Sequence, residues 1–394
     1  MSWLTNWNYR KPITISNTGS TLTDHQVLVT VDTLALAGNI QVGCADIRFT
    51  DNGGIIPLSY WIESGPNTTS TKIWVKISSI ANGNNTIYLY YGNSGAPSAS
   101  NGTNTFNFFD DFLSSTIDNS KWTWSAAPGN VYGTATLSIS NSILTLTGGL
   151  NTNWILRADK VPKSAFPFII EYYAKTSESP SNHGAIVGAS DFQIDAWGRN
   201  SFSFGDAGTP GKLYRSVENG VTTTNARTTT STSYTRTKII ERSGGIDFYE
   251  NNIPTNTITT NSPEVDMGAW MYVAQSPGVV NVDWVFIRKY ASPEPALSTT
   301  GTEELGITAY SMYLYPSETP CRTGICTVRA DVVWQNLGSS SVTFRPKILI
   351  DGVTYVQAAS DITIVGAYPA ISSTIQITTP TLPAGNHTIC PYPN

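Results

Sequence analysis

Trp7-Asn8-Tyr9-Arg10-Lys11-Pro12-Ile13-Thr14-Ile15 opens a series of strand-like segments that occupies the first ninety-odd residues. Asp46-Ile47-Arg48-Phe49-Thr50-Asp51, Tyr60-Trp61-Ile62-Glu63, Lys72-Ile73-Trp74-Val75-Lys76-Ile77 and Ile87-Tyr88-Leu89-Tyr90-Tyr91-Gly92-Asn93 continue it. Each alternates large apolar with polar residues and is closed by Gly, Asn, Pro or Ser. A period of two turns one face of a strand to a core and the other to water, the pattern of half-buried antiparallel strands. None of these segments has the form of a cofactor loop or a nucleophile elbow. Tyr60-Trp61 and Tyr88 to Tyr91 read as core, and Asp46 and Arg48, two apart and so on one strand face, as a salt-bridged or capped strand end.

The composition extends that reading to the whole chain. Its 394 residues are too many for one core and imply two or three domains. Charged residues make up 13 %, against about 25 % in an average soluble protein. Aromatics reach 11 %, and Thr, Ser, Asn and Gly fill the deficit. Side chains of that kind pack well on a pleated surface. No segment sustains apolar spacing of three and four, and Thr33-Leu34-Ala35-Leu36-Ala37-Gly38 offers barely one helical turn. Hydrophobic content of 40 % with eleven Trp argues against disorder. The net charge of −5, of scattered sign, leaves no basic stripe for a nucleic-acid backbone. No run approaches the roughly 20 apolar residues of a membrane span. No secretory leader precedes Trp3, so either a leader has been removed or the protein travels another way, as a virion protein does.

Two breaks divide the chain. The Gly/Ser/Pro/Asn stretch from Tyr91 to Thr103 ends a first domain at about residue 105. From Phe106-Asn107-Phe108-Phe109-Asp110-Asp111-Phe112 to residue 291 about a dozen strand-like runs follow without helices, which predicts a large two-sheet jelly roll. Within it the Thr-dominated run from Val221 to Ser233 reads as an exposed loop. Ala291-Ser292-Pro293-Glu294-Pro295-Ala296 begins a stiff linker spanning 292–304. Residues 305–394 carry six or seven short strands, the size of an immunoglobulin-like sandwich, with Trp334 central in the second strand. The expected fold is all-β: three serial domains at 1–105, 106–291 and 305–394.

Cys321-Arg322-Thr323-Gly324-Ile325-Cys326 has the length of a hairpin loop closed by a disulfide, and Cys390 lies later in the same domain. A zinc site needs two further Cys or His nearby, and only His387 falls in this region. A structural disulfide among Cys321, Cys326 and Cys390 is the expectation, with Cys44 a small buried hydrophobe. Sequons at Asn67, Asn84, Asn101 and Asn386 sit by turns or linkers, where glycosylation requires them.

Glycoside hydrolysis needs two carboxylates flanking the sugar, about 5–9 Å apart. Jelly-roll glycosidases set them at alternate positions of one strand, and no Glu-x-Asp-x-x-Glu run occurs here. Glu171 stands alone in its segment, and Asp247 and Glu250, three apart, fall on opposite strand faces. Glycan binding without catalysis needs exposed aromatic rings beside polar anchors. Trp122, Trp124, Trp154, Trp197 and Trp270 are available, although large aromatics usually serve the core. Asp195-Ala196-Trp197-Gly198-Arg199-Asn200 is the most attractive cluster: Gly198 permits close approach, and Asp195, Arg199 and Asn200 supply donors and acceptors.

The blocks from Trp7 to Asn93 closely resemble an uncharacterised domain family of secreted and cell-envelope proteins of archaea and bacteria, which lends no established activity. Residues 106–291 resemble a concanavalin or laminin-G-like jelly roll through Phe109-Asp110-Asp111-Phe112, Asp118-Asn119-Ser120-Lys121-Trp122 and Val282-Asp283-Trp284-Val285-Phe286-Ile287-Arg288-Lys289-Tyr290. That resemblance implies a structural calcium ion between the first and last strands, at Asp110, Asp111 and Asp283, with carbonyls and water completing six to eight oxygens. No other cofactor is implied. Residues 305–394 are similar to cell-adhesion-related immunoglobulin-like domains of prokaryotes. Together these features predict a non-enzymatic extracellular, cell-surface or virion protein. It would be an adhesive or structural subunit that associates with itself or with surface glycan or protein; the alternative is a secreted carbohydrate-binding, lectin-like protein or a carbohydrate-active one.

Overall fold

The computed structural model describes residues 3–126, 134–149, 153–176, 185–192, 200–206, 212–227, 233–274, 278–316, 327–337, 341–352, 354–365, 370–382 and 387–392. Strands dominate, as the period of two predicts, and every pairing between named strands is antiparallel. Thr33–Gly38 supplies one 3-10 turn, Leu34–Leu36. No helix among the described residues is long and apolar enough to cross a membrane.

The chain divides into two compact units, Met1–Asn101 with Pro295–Asn394, and Gly102–Glu294. In the first unit, Leu22–Val31, Thr71–Ile80 and Tyr60–Ser64 form one sheet. The other sheet runs Ala296–Thr300, Tyr9–Asn17, Gly83–Tyr91, Arg48–Thr50 and Pro57–Leu58. Ile13, Ile15, Val27, Val29, Phe49, Tyr60, Ile73, Val75 and Leu89 share the core with the buried thiol of Cys44. The segment expected to be a linker over 292–304 therefore contributes a strand, Ala296–Thr300, and Glu304–Leu305 also lies against Tyr9–Asn17. The prolines at 293 and 295 stop pairing only up to themselves. Beyond them Leu297-Ser298-Thr299-Thr300 is free to extend the sheet, and Leu297 packs on its core. The jelly roll interrupts the chain of the first sandwich.

The same unit contains the terminal sandwich. Ile307–Pro316, Val328–Asn336, Ala370–Ile371 and Ile375–Thr378 make one sheet; Val342–Phe344 with Ile362–Ile364, and Thr354–Gln357 with Lys347–Ile350 and Ile389–Tyr392, complete it. Trp334 is fully buried at its centre, edge-on to Phe344.

The second unit is a sandwich of two large antiparallel sheets. One runs Thr136–Ser140, Ile143–Thr147, Val279–Lys289, Phe168–Thr176, Thr235–Arg242, Gly245–Glu250 and Ile253–Ile258, with Phe108–Asp110 beside Val279–Lys289. The other runs Val221–Arg227, Lys212–Glu218, Ser201–Asp206, Ala185–Ser190, Gly268–Ala274, Asn153–Arg157 and Thr123–Ala126. Ile170, Tyr172, Val187, Phe202, Phe248, Met271 and Val282 meet between them. The first half of the Thr-rich run is thus an edge strand, not a loop, because β-branched Thr suits a pleat as well as it suits solvent.

Candidate functional site

The motif residues of the first sandwich hold backbone. Asp46 is buried, and its carboxylate accepts N–H bonds from Gln41 at 2.8 Å, Gly92 at 2.8 Å and Asn93 at 3.2 Å. Arg48 donates to the carbonyls of Ala45, Ile47 and Pro97 and lies over the Trp7 ring. The two act as clamps on separate loops rather than as a salt bridge with each other. Arg10 is sandwiched over Tyr88 at 4.1 Å and Trp3 at 4.6 Å, and donates to Glu304 at 2.6 Å and to the Tyr90 hydroxyl. The Tyr91 hydroxyl donates to Glu303. Nothing local in the sequence marked Glu303 and Glu304 as partners of residues more than two hundred positions earlier.

Gly92 has φ +85°, and a Cβ there would fall 2.5 Å from Tyr9 Cδ2. Gly92→Ala is expected to cost about 2 kcal/mol from the left-handed backbone and the displaced ring. Urea unfolding of the full chain measures it; an unchanged midpoint would refute the packing argument.

The three acids of the calcium expectation have different surroundings. Asp110 is buried, with Oδ1 accepting from Phe112 N–H at 3.0 Å and Oδ2 from Trp122 Nε1 at 2.7 Å. Lys121 Nζ stands 4.0 Å from the same Oδ2 and donates to Phe109 O. The Asp110 oxygens therefore already hold protein donors with a cation beside them. Burial, then the charge of Asp110, raises the Asp111 carboxyl, and burial raises Asp283. Among the described residues no three His, Cys, Asp or Glu side chains converge to hold a metal ion.

Glu171 is fully buried on the outer side of its sheet, held by Arg236 at 2.6 Å and Arg288 at 3.1 Å. Burial alone would raise its carboxyl, but the two guanidiniums outweigh it and hold the group below the ordinary carboxylate range. A carboxylate so held is no proton donor at neutral pH. Asp247 and Glu250 lie on opposite faces as the spacing predicts: Asp247 is paired with Arg242 at 2.6 Å, and Glu250 accepts from the Tyr214 hydroxyl. Glu241 differs. It sits opposite Phe168 on the core side, Oε1 accepts from Val265 N–H at 3.4 Å, and Oε2 has no partner. Burial pushes its carboxyl up to about 9.

Asp195, Trp197 and Arg199 of the glycan expectation lie outside the described residues; Asn200 lies within them. Asn200 and Asp191 are bonded to each other twice. Asp191 N–H donates to Asn200 O at 3.1 Å, and Asn200 Nδ2 donates to Asp191 Oδ2 at 2.8 Å. Both border an open depression of about 680 Å³ with Lys163 and Asp266. Lys163 Nζ donates to Asp191 O, and Asp266 accepts from Phe166 N–H at 3.0 Å. A carboxylate, an amide and an ammonium around an open depression form a polar set able to grip hydroxyls. Sequence spacing had no means of adding Lys163, Asp191 and Asp266, which come from separate segments. Of the other candidate tryptophans, Trp122 and Trp270 are core residues, and Trp124 and Trp154 pack on each other at 5.0 Å.

Cys390 is a free, exposed thiol opposite Leu349. Cys321 and Cys326 lie outside the described residues, as does Asn386. Asn84 and Asn101 are exposed, whereas Asn67 uses its amide to hold Gly43 N–H and Gln41 O.

Residues 43–125 match a family model described as a domain of unknown function (DUF2341). The match begins after the Tyr9–Asn17 strand and ends within the first strands of the jelly roll. No curated protein matches the chain. Among solved structures, a β-1,3-glucanase from Mycobacterium marinum is similar at 13 % identity and a TM-score of 0.38, covering 47 % of this chain and 99 % of that one. An endo-β-1,3-glucanase from Pyrococcus furiosus is similar at 10 % identity and 0.38, covering 47 % and 94 %. A structure titled for endo-acting O-glycanases of the human gut microbiota matches at 15 % and 0.39, covering 47 % and 100 %. Likeness at this level carries no activity to this chain.

Proposed function

We propose that the chain is a non-enzymatic extracellular protein, an adhesive or structural subunit of a cell-surface appendage, filament or virion fibre. The observation that carries this reading is how the buried acids are used. Asp46 is spent on three backbone N–H groups, Asp110 on Trp122 and Phe112, and Glu171 on two arginines, while Glu241 faces a core. Each of these carboxylates is an architectural part, none a reactive one. Low charge and hydroxyl-rich strand faces favour association with copies of the chain or with surface polymers.

A second reading, carbohydrate binding, is favoured by the polar depression bordered by Asp191, Asn200, Lys163 and Asp266. Incubating the full chain with a panel of polysaccharides should release no reducing sugar; release would overturn the non-catalytic reading. Negative-stain microscopy should show polymers in the same samples. Glycan-array binding lost in Trp197→Ala, with no polymer seen, would replace the structural reading by the lectin one.

A further inference from the structure

The strand Ile307–Pro316 lies at the edge of the terminal sandwich, and among the described strands it pairs with Val328–Asn336 alone. Its sequence, Ile307-Thr308-Ala309-Tyr310-Ser311-Met312-Tyr313-Leu314-Tyr315-Pro316, contains no charge, and its only proline is the last residue. Edge strands are ordinarily blunted by Lys, Pro or a covering segment, because their unpaired N–H and C=O groups otherwise accept another strand. Here the side chains are open as well. Tyr310 is 63 % exposed, Tyr313 64 %, Leu314 44 % and Tyr315 47 %. Tyr313 and Tyr315 share the face turned away from the core with Arg329, which stacks on the Tyr315 ring at 4.7 Å. Leu314 follows Met312 on the other face, where Met312 touches the terminal core. An apolar residue uncovered on each side of one edge suits a protein strand better than a sugar, which would meet one face only.

We propose that this edge pairs with the same edge of a second copy of the chain, antiparallel and about a two-fold axis at Tyr313. The register follows from backbone geometry. Residues directly opposite in an antiparallel pair both turn their N–H and C=O toward the partner or both away, so two identical strands pair about a residue rather than between two. The register with Val328–Asn336 is irregular at Tyr310 and regular from Ser311 onward. A centre at Met312 shortens the regular overlap, and a centre at Leu314 recruits Pro316, which has no N–H. Tyr313 as centre uses Ser311 to Tyr315 in full. It sets Tyr313 against its copy and Ser311 against Tyr315 on the outer face, and Met312 against Leu314 on the inner one. At the axis ring meets ring, on the inner face apolar side chains meet, and no charge on the strand opposes its copy. The three exposed side chains inside this register contribute roughly 300 Å² per copy, which places the contact at the weak, transient end of interfaces and makes the dimer concentration-dependent.

The pairing rests on the self-association reading and deepens it by naming the contact. Sedimentation equilibrium of the full chain should show self-association in which the monomer first gives a dimer, the longer polymers requiring a second contact elsewhere on the chain. Tyr313→Lys puts two like charges directly opposite each other at the axis and should weaken the dimer by about tenfold or more, while Tyr313→Phe leaves it intact. Thermal melts should be alike in all three chains, because residue 313 is exposed in the monomer. Assemblies that persist unchanged in Tyr313→Lys would overturn this pairing and leave self-association standing. A chain that stays single at every concentration would overturn both.

Discussion

Glu241→Gln is expected to stabilise the jelly roll by about 3 kcal/mol at pH 7. The folded chain keeps this carboxyl protonated to about pH 9, because burial opposes its charge and Oε2 has no partner, whereas the unfolded chain releases the proton near the ordinary value of 4.5. Unfolding therefore releases a proton anywhere between those values, and stability falls as pH rises through that window by about 1.4 kcal/mol per unit. Below about pH 4 both states are protonated and the group contributes nothing to the pH dependence. Glutamine has nearly the same shape, keeps an acceptor for Val265 N–H and never ionises. Urea unfolding at pH 4, 7 and 9 should show no gain at the first, a clear gain at the second and a larger one at the third. Equal midpoints for the two proteins at all three would show that Glu241 finds a charge partner or water when folded.

Periodicity carried the strand content and the core positions of Tyr60, Tyr91 and Trp334, because alternation is a local property written into consecutive residues; Tyr88 and Tyr90, read as core, are buried on the opposite face beside Arg10. What it could not carry is pairing across distance. Ala296–Thr300 looks like the tail of a proline-stiffened linker until Tyr9–Asn17 is seen beside it, and the roles of Glu303 and Glu304 depend on that encounter. Alternation also fails where both faces are apolar. Ile169-Ile170-Glu171-Tyr172-Tyr173 and Ile239-Ile240-Glu241 do not say which side is the core, so neither glutamate could be assigned a surrounding from sequence. The depression bordered by Asp191 and Asn200 was half legible: Asn200 stands in the quoted cluster, but Lys163 and Asp266 reach it only through the fold.

Glu171→Ala should cost about 3–5 kcal/mol. The change removes the carboxylate shared by Arg236 and Arg288 from a site where all three side chains are nearly inaccessible to water. Arg288 keeps Glu294 at 2.5 Å, so the larger penalty falls on Arg236, which retains its place over the Trp284 ring without its carboxylate. Glu171→Ala combined with Arg236→Ala should then cost less than the sum of the two single changes, and a double-mutant cycle read by urea unfolding measures the coupling. Strict additivity would mean that the two charges do not stabilise each other. The pH dependence has the opposite sign to that of Glu241. The folded Glu171 carboxyl lies below its unfolded value, so its contribution is present above about pH 4.5 and is lost as pH falls through the folded value. One acid on the outer face thus weakens the jelly roll on the acid side, and one facing its core weakens it on the alkaline side. From these two groups alone, stability should peak at about pH 4.5. Glu241→Gln should flatten the alkaline limb while leaving the acid limb in place.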